Sequence, residues 1–254
     1  MDGKTGGDGG PRNEISSLQY KAASASLSQA KSDGRPLTSD CLYGRSEALR
    51  MAFTFFFRDG HTLEAITRHV IPSAAGKSSI RIWDAGCAMG PEPYSLAIMF
   101  AENMGHFAFK NLHIYATDVD QSNLFGQIIS EGVYPEEQLK RIPRDIFEKY
   151  FQPADNSGDF RVDYMIRSHI HYQKHDLLSL QPVADDFILV VCKNVLLHFT
   201  AEQRHNVIKM FHQALTPGGF LAMEQTQRLP EETANLFKQV TANAQLFRKV
   251  EMHG

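Results

Sequence analysis

Short apolar runs alternate along this chain with amphipathic stretches, and glycine or proline marks most of the junctions. Residues 80–83 predict a buried strand, after which Gly86 and Gly90 allow a sharp turn and a close approach of backbone to a ligand. Pro91 and Pro93 open a helix, where a missing N–H costs nothing, and Glu92 sits at its positive end. Residues 112–117 predict a second strand, ending on Asp118-Val119-Asp120, with a helix over 121–131. Residues 187–192 are the clearest buried strand of the chain. A helix over 201–215, breakers at 216–219, a strand over 220–224 and a last strand over 246–251 follow. Residues 159–163 and 170–172 alternate apolar and polar positions, which suits an antiparallel ribbon. Upstream, a helical pattern from 46 to 68 breaks near Asp59-Gly60 and continues over 62–70. Residues 16–30 suit a short helix with few apolar positions, and residues 1–40 are expected to form a disordered or weakly helical tail. Alternating strands and helices without a long repeat point to an α/β domain with a largely parallel sheet.

In such sheets ligands sit at the carboxyl ends of the strands. The glycine turn lacks both the Lys-Ser/Thr ending of a phosphate loop and the Gly-x-Gly-x-x-Gly of a dinucleotide loop. Glu92 would repel a pyrophosphate but can accept from an ammonium or a ribose hydroxyl, which favours a positively charged cofactor such as S-adenosylmethionine. Asp118 is placed for ribose hydroxyls and Asp120 for capping the next helix. Two plainer readings stay open: a tight βα connection for the loop, and a helix cap for Asp118.

Composition narrows the class without naming it. With 254 residues, 43% hydrophobic and 22% charged, the chain can bury one main core, and a net charge of −3 gives no pull toward nucleic acid. Cys41, Cys87 and Cys192 form neither a disulfide framework nor a metal spacing, and the histidines show no paired helical arrangement, so no metal is expected. No stretch reaches the length of a membrane span and no signal core opens the chain, so a cytoplasmic protein without membrane insertion is expected.

Residues 85–95, Ala-Gly-Cys-Ala-Met-Gly-Pro-Glu-Pro-Tyr-Ser, together with Thr54-Phe55-Phe56-Phe57-Arg58 upstream, resemble the chemotaxis-type protein-glutamate O-methyltransferases, the CheR family. Gly132-Val133-Tyr134, Tyr150-Phe151, Cys192-Lys193-Asn194-Val195-Leu196 and Pro217-Gly218-Gly219 fall in the family's order. The likeness runs from about Arg45 to the C-terminus. It implies a Rossmann-like class I methyltransferase fold over 41–254, a mostly parallel seven-stranded sheet with one antiparallel strand and a small β-subdomain over 151–174. It also implies that Thr54, Arg58, Gly86, Glu92, Asp118, Asp176, Leu177, Asn194 and Val195 hold S-adenosylmethionine, with Asp176 and Leu177 against the adenine. Arg58 would steer the acceptor carboxylate, and His198 stands near the place of a tyrosine beside the transferred methyl.

Each of these roles has a plain structural alternative. Arg58 could pair with Asp59, Asp176 could form a turn, and His198 could lie at the start of the next helix. Lys193 replaces the usual arginine, and the helical domain that relatives carry ahead of residue 54 is shortened here. The resemblance implies methyl transfer from S-adenosylmethionine, leaving S-adenosylhomocysteine, to a glutamate of a chemoreceptor-like protein in chemotaxis signalling. A methyltransferase with another, small-molecule acceptor and a non-catalytic cofactor-binding regulator are the alternatives, and the oligomeric state is not set by the sequence.

Overall fold

The described strands are β1 (Ile80–Ala85), β2 (Leu112–Asp118), β3 (Val133–Pro135), β4 (Phe151–Pro153), β5 (Asp159–Val162), β6 (Ile170–Lys174), β7 (Phe187–Cys192), β8 (Leu215–Met223), β9 (Phe237–Gln239) and β10 (Leu246–Lys249). Seven of them form one sheet in the order β6-β2-β1-β7-β8-β10-β9, and β3-β5-β4 form a second, small sheet. In the large sheet β10 alone runs antiparallel to its neighbours. This is the class I methyltransferase arrangement expected from the sequence. The computed structural model describes residues 54–154 and 158–251. Residues 1–53, with Cys41, the expected tail and the helix over 16–30, lie outside the described residues. Apart from residues 121–124, everything described belongs to one compact unit.

Position in the sheet explains the apolar runs. β1 and β7 are interior parallel strands, with Ile82 opposite Ile114 on one side and Leu189 on the other. Both of their faces are covered, so every residue of β7 is buried. The buried Trp83 contacts Phe187 and Phe211 at ring-centroid distances of 5.5 and 5.2 Å and donates from its indole to Thr117 Oγ1 at 2.9 Å. That bond satisfies the one polar atom of the largest core side chain.

Among the described residues, four helices pack against the large sheet. In α1 (Gly60–His69) the Asp59 side chain accepts from Thr62 N–H, and α2 (Pro91–Asn103) begins directly after Gly90. The start of α3 (Phe125–Glu131) is held by Asp120, and α4 (Ala201–Ala214) carries a Thr200/Gln203 capping box. Among the described residues no helix is long and apolar enough to cross a membrane.

Several boundaries differ from expectation. Residues 170–174 do not form a ribbon with 159–163; β6 pairs in parallel with β2, while β5 pairs with β3 and β4. The small sheet therefore recruits Val133–Pro135 and leaves out the end of the 151–174 segment. Alternation reports one covered face and says nothing of the partner. The breakers at 216–219 lie inside β8, because Lys249 donates to Leu215 O at 2.6 Å and Arg248 to Gly218 O at 3.3 Å. The sheet absorbs the irregularity as a register shift opposite Phe187 and Leu189.

Candidate active site

The carboxyl edge of the sheet carries the site. At the end of β1 the chain turns through Gly86 (φ +101°), Ala88 (φ +48°) and Gly90 (φ +103°) into α2. Hydrogen bonds fasten this turn to the end of β2. Gly86 N–H and Cys87 N–H both donate to Thr117 O, at 2.7 and 3.0 Å, and Ala88 N–H donates to Asp118 Oδ2 at 3.0 Å. A Cβ on Gly86 would lie 2.1 Å from Val195 Cγ2, so only glycine lets the turn pass this close to the end of β7.

Asp118 is fixed from both sides, since its Oδ1 accepts from Asp120 N–H at 3.0 Å. Burial raises its carboxyl above the ordinary value, and backbone donors from Asp120 and Ala88 oppose the rise. Each oxygen keeps a lone pair for a ligand hydroxyl. Asp120 accepts from Phe125 N–H at 3.0 Å and Tyr172 O–H at 2.9 Å. Asp120 thus caps the helix that follows, as the sequence suggested.

The segment carrying Arg58 is anchored by its neighbours. Phe56 is buried and meets Tyr134 and Phe151 edge-on at 5.0 and 5.4 Å, while Phe57 N–H donates to Ser95 Oγ at 2.8 Å. Phe57 and Asp59 both adopt left-handed backbone, at φ +54° and +63°. Such conformations persist only where the surroundings dictate them, and they tend to gather at functional sites. Arg58 is thereby turned toward the end of β7, where its Nη2 donates to Asn194 Oδ1 at 3.5 Å. Asp59 accepts from both the backbone and the hydroxyl of Thr62, so its carboxylate serves α1.

Lys193 lies beneath this arrangement. Its Nζ is 2.7 Å from Glu92 Oε2, with side-chain exposures of 4% and 13%. It also donates to Arg58 O at 3.4 Å. Burial alone would lower the Lys193 ammonium, but Glu92, with Asp59 and Asp84, outweighs it and the group is raised. Asp84 is fully buried, and burial followed by the charge of Glu92 pushes its carboxyl well up against the opposing pull of Lys193. Arg58, Asp59, Lys193, Asn194, Glu224 and Gln225 line an open cleft of about 240 Å³.

Residues 52–246 match the family described as CheR methyltransferase, SAM binding domain. The chain belongs to this family. It is 30% identical over 185 residues to a chemotaxis protein methyltransferase of Borreliella burgdorferi, a match covering 69% of this chain and 64% of that protein. It is 29% identical over 194 residues to a probable chemotaxis protein methyltransferase of Rhizobium etli, covering 74% and 72%. With chemotaxis protein methyltransferase 1 of Pseudomonas aeruginosa it shares 32% identity over 196 residues, covering 73% and 70%.

S-adenosylmethionine, the cofactor of this family domain, suits the donor set. The turn has room only for backbone at Gly86, and it is flanked by two carboxyl acceptors, Asp118 at the end of β2 and Glu92 in the first turn of α2. Lys193 is taken up by Glu92. Gly86, Glu92, Asp118, Arg58, Asn194 and Val195 are brought to one sheet edge. Thr54 is half-buried at the start of the described chain, and Leu177 is buried. The Asp176 carboxylate accepts from Leu178 N–H at 2.9 Å and caps the turn Leu177–Ser179. His198 is exposed, ends the turn Leu196–His198 ahead of α4, and is not among the residues lining the cleft.

Sequence reasoning assigned no role to Asp84, Glu224 or Gln225. Gln225 donates to Asp59 Oδ1 at 3.4 Å and to Asn243 O at 3.1 Å, linking the end of β8 to the start of α1. The signal for all three was their place at or just past the carboxyl end of a parallel strand.

Proposed function

We propose that this protein transfers the methyl group of S-adenosylmethionine to a glutamate carboxylate of a chemoreceptor-like protein. Family membership supports methyl transfer. The acceptor reading is carried by one observation, a guanidinium held at the cofactor edge of the sheet by its bond to Asn194 and by the two left-handed residues that flank it. Arginine suits a carboxylate because its fork can grip both oxygens.

The bound cofactor supplies a sulfonium methyl, to which an acceptor carboxylate oxygen bonds as the carbon–sulfur bond breaks and its electron pair passes to sulfur. No general acid is needed, so this chain's residues act by placement. Glu92 takes the ammonium, Asp118 the ribose hydroxyls, Asp176 and Leu177 the adenine, while Thr54, Gly86, Asn194 and Val195 complete the pocket. Arg58 sets the acceptor oxygen in line, and positioning of this kind contributes several kcal/mol. His198, exposed ahead of α4, stands near the place of the tyrosine that relatives set beside the transferred methyl.

The test is calorimetric titration of the full chain with S-adenosylmethionine and S-adenosylhomocysteine, then incubation with receptor-bearing membranes and labelled cofactor. Base-labile incorporation identifies a carboxyl ester. Binding without incorporation shifts the reading to a small-molecule acid as acceptor, or to a regulator that binds without turnover.

A further inference from the structure

Two buried carboxyl groups stand against one ammonium under the glycine turn. Asp84, at the end of β1, is fully buried, and the Glu92 side chain from α2 acts on its carboxyl. Neither Asp84 oxygen has a hydrogen-bond partner among the described residues. Carboxylates only accept, so Asp84 and Glu92 can bond only when one of them carries a proton. The groups facing Asp84 are Glu92, Lys193 and Asp118, with the thiols of Cys87 and Cys192 beside it. Asp59 acts on the same Lys193. With every acid ionised, one lysine would face the carboxylates of Asp84 and Glu92 out of water, an arrangement with a large desolvation cost.

We propose that Asp84 keeps its proton and donates it to the Glu92 carboxylate, so that Asp84 and Lys193 together aim Glu92 at the cofactor. The proton belongs on Asp84 and not on Glu92 because Asp84 is fully buried, whereas Glu92 keeps slight exposure and already holds the Lys193 ammonium at 2.7 Å. Asp84 is thus a positioning residue, acting through Glu92. The inference rests on cofactor binding and not on the identity of the acceptor.

Infrared difference spectra of the free protein at neutral pH, wild type against Asp84→Asn, test it directly. The wild type should show a protonated carboxylic-acid carbonyl band that the variant lacks, and the band should disappear on titration to high pH. Titration with S-adenosylhomocysteine gives a second reading. Asp84→Asn, whose amide can still donate to Glu92, should bind more tightly than Asp84→Ala, which should lose affinity by about tenfold or more. No acid band in the wild type, or an asparagine variant as weak as the alanine one, would overturn the proposal. The infrared result stands even if Asp84→Ala does not fold. None of these readouts uses a methyl acceptor, so they can fail while the proposed reaction stands.

Discussion

Lys193 and Glu92 form an ion pair of 2.7 Å that is almost wholly out of water, and the lysine also bonds the backbone carbonyl of Arg58. One side chain thereby connects the end of β7, the first turn of α2 and the segment that carries Arg58. Deleting it leaves a buried carboxylate without its partner, which typically costs about 3–5 kcal/mol. Lys193→Met should therefore lose about 3 kcal/mol or more in urea unfolding. Loss below about 1 kcal/mol, the range of exposed pairs, would show that the pair is solvated in solution.

Asp84 makes stability depend on pH. Burial raises its carboxyl well above 3.8, so the folded state holds the proton where the unfolded chain has released it. That stabilising contribution is complete below about pH 4 and is lost as pH rises through the folded value. Asp84→Asn cannot lose it. The melting temperature of the variant relative to wild type should climb with pH from about 4 upward. A gap that stays constant or narrows would mean that Asp84 is ionised in the fold.

Phe56 ties the Arg58 segment to the rest of the molecule through Tyr134 and Phe151. Phe56→Ala should cost about 3–5 kcal/mol of stability. It should also weaken cofactor binding in calorimetry, because the backbone presenting Thr54 and Arg58 loses its anchor. Unchanged affinity in a folded variant would separate this segment from the cofactor pocket.

The steric pairing of Gly86 with Val195 can be checked by a double-mutant cycle. Gly86→Ala meets both a clash at 2.1 Å with Val195 Cγ2 and a φ of +101°. Val195→Ala removes the clash but leaves the dihedral. The pair of substitutions should destabilise less than their sum, by about 1 kcal/mol, with the dihedral strain remaining. Additive effects would place Val195 elsewhere.

The interior of the sheet was legible in the sequence because β1 and β7 are covered on both faces and read as largely apolar runs. The glycine turn was legible because positive φ at Gly86 and Gly90 demands that residue type. Edge pairing was not. β3, β4 and β9 are three residues each, too short to carry a period, and the alternation of 170–172 fitted a ribbon as well as the edge strand that it became. The state of Asp84 was hidden for another reason. Its protonation depends on Glu92 and Lys193, which meet it only once β1, α2 and β7 are assembled. Asp176 illustrates an ambiguity that folding settles locally, because its carboxylate caps a turn while the adenine role stays a matter for ligand binding.

Arg58→Ala decides the proposed reaction. In one preparation of wild type and one of the variant, S-adenosylhomocysteine affinity is measured by calorimetry and base-labile methyl incorporation into receptor-bearing membranes is counted. The wild type should bind and form methyl esters, and Arg58→Ala should bind within a few-fold of wild type, losing transfer by about a hundredfold or more if its alignment is worth several kcal/mol. Ester formation undiminished in the variant, or none by a wild type that binds the cofactor, would show that this edge of the sheet does not present a glutamate carboxylate to the methyl group.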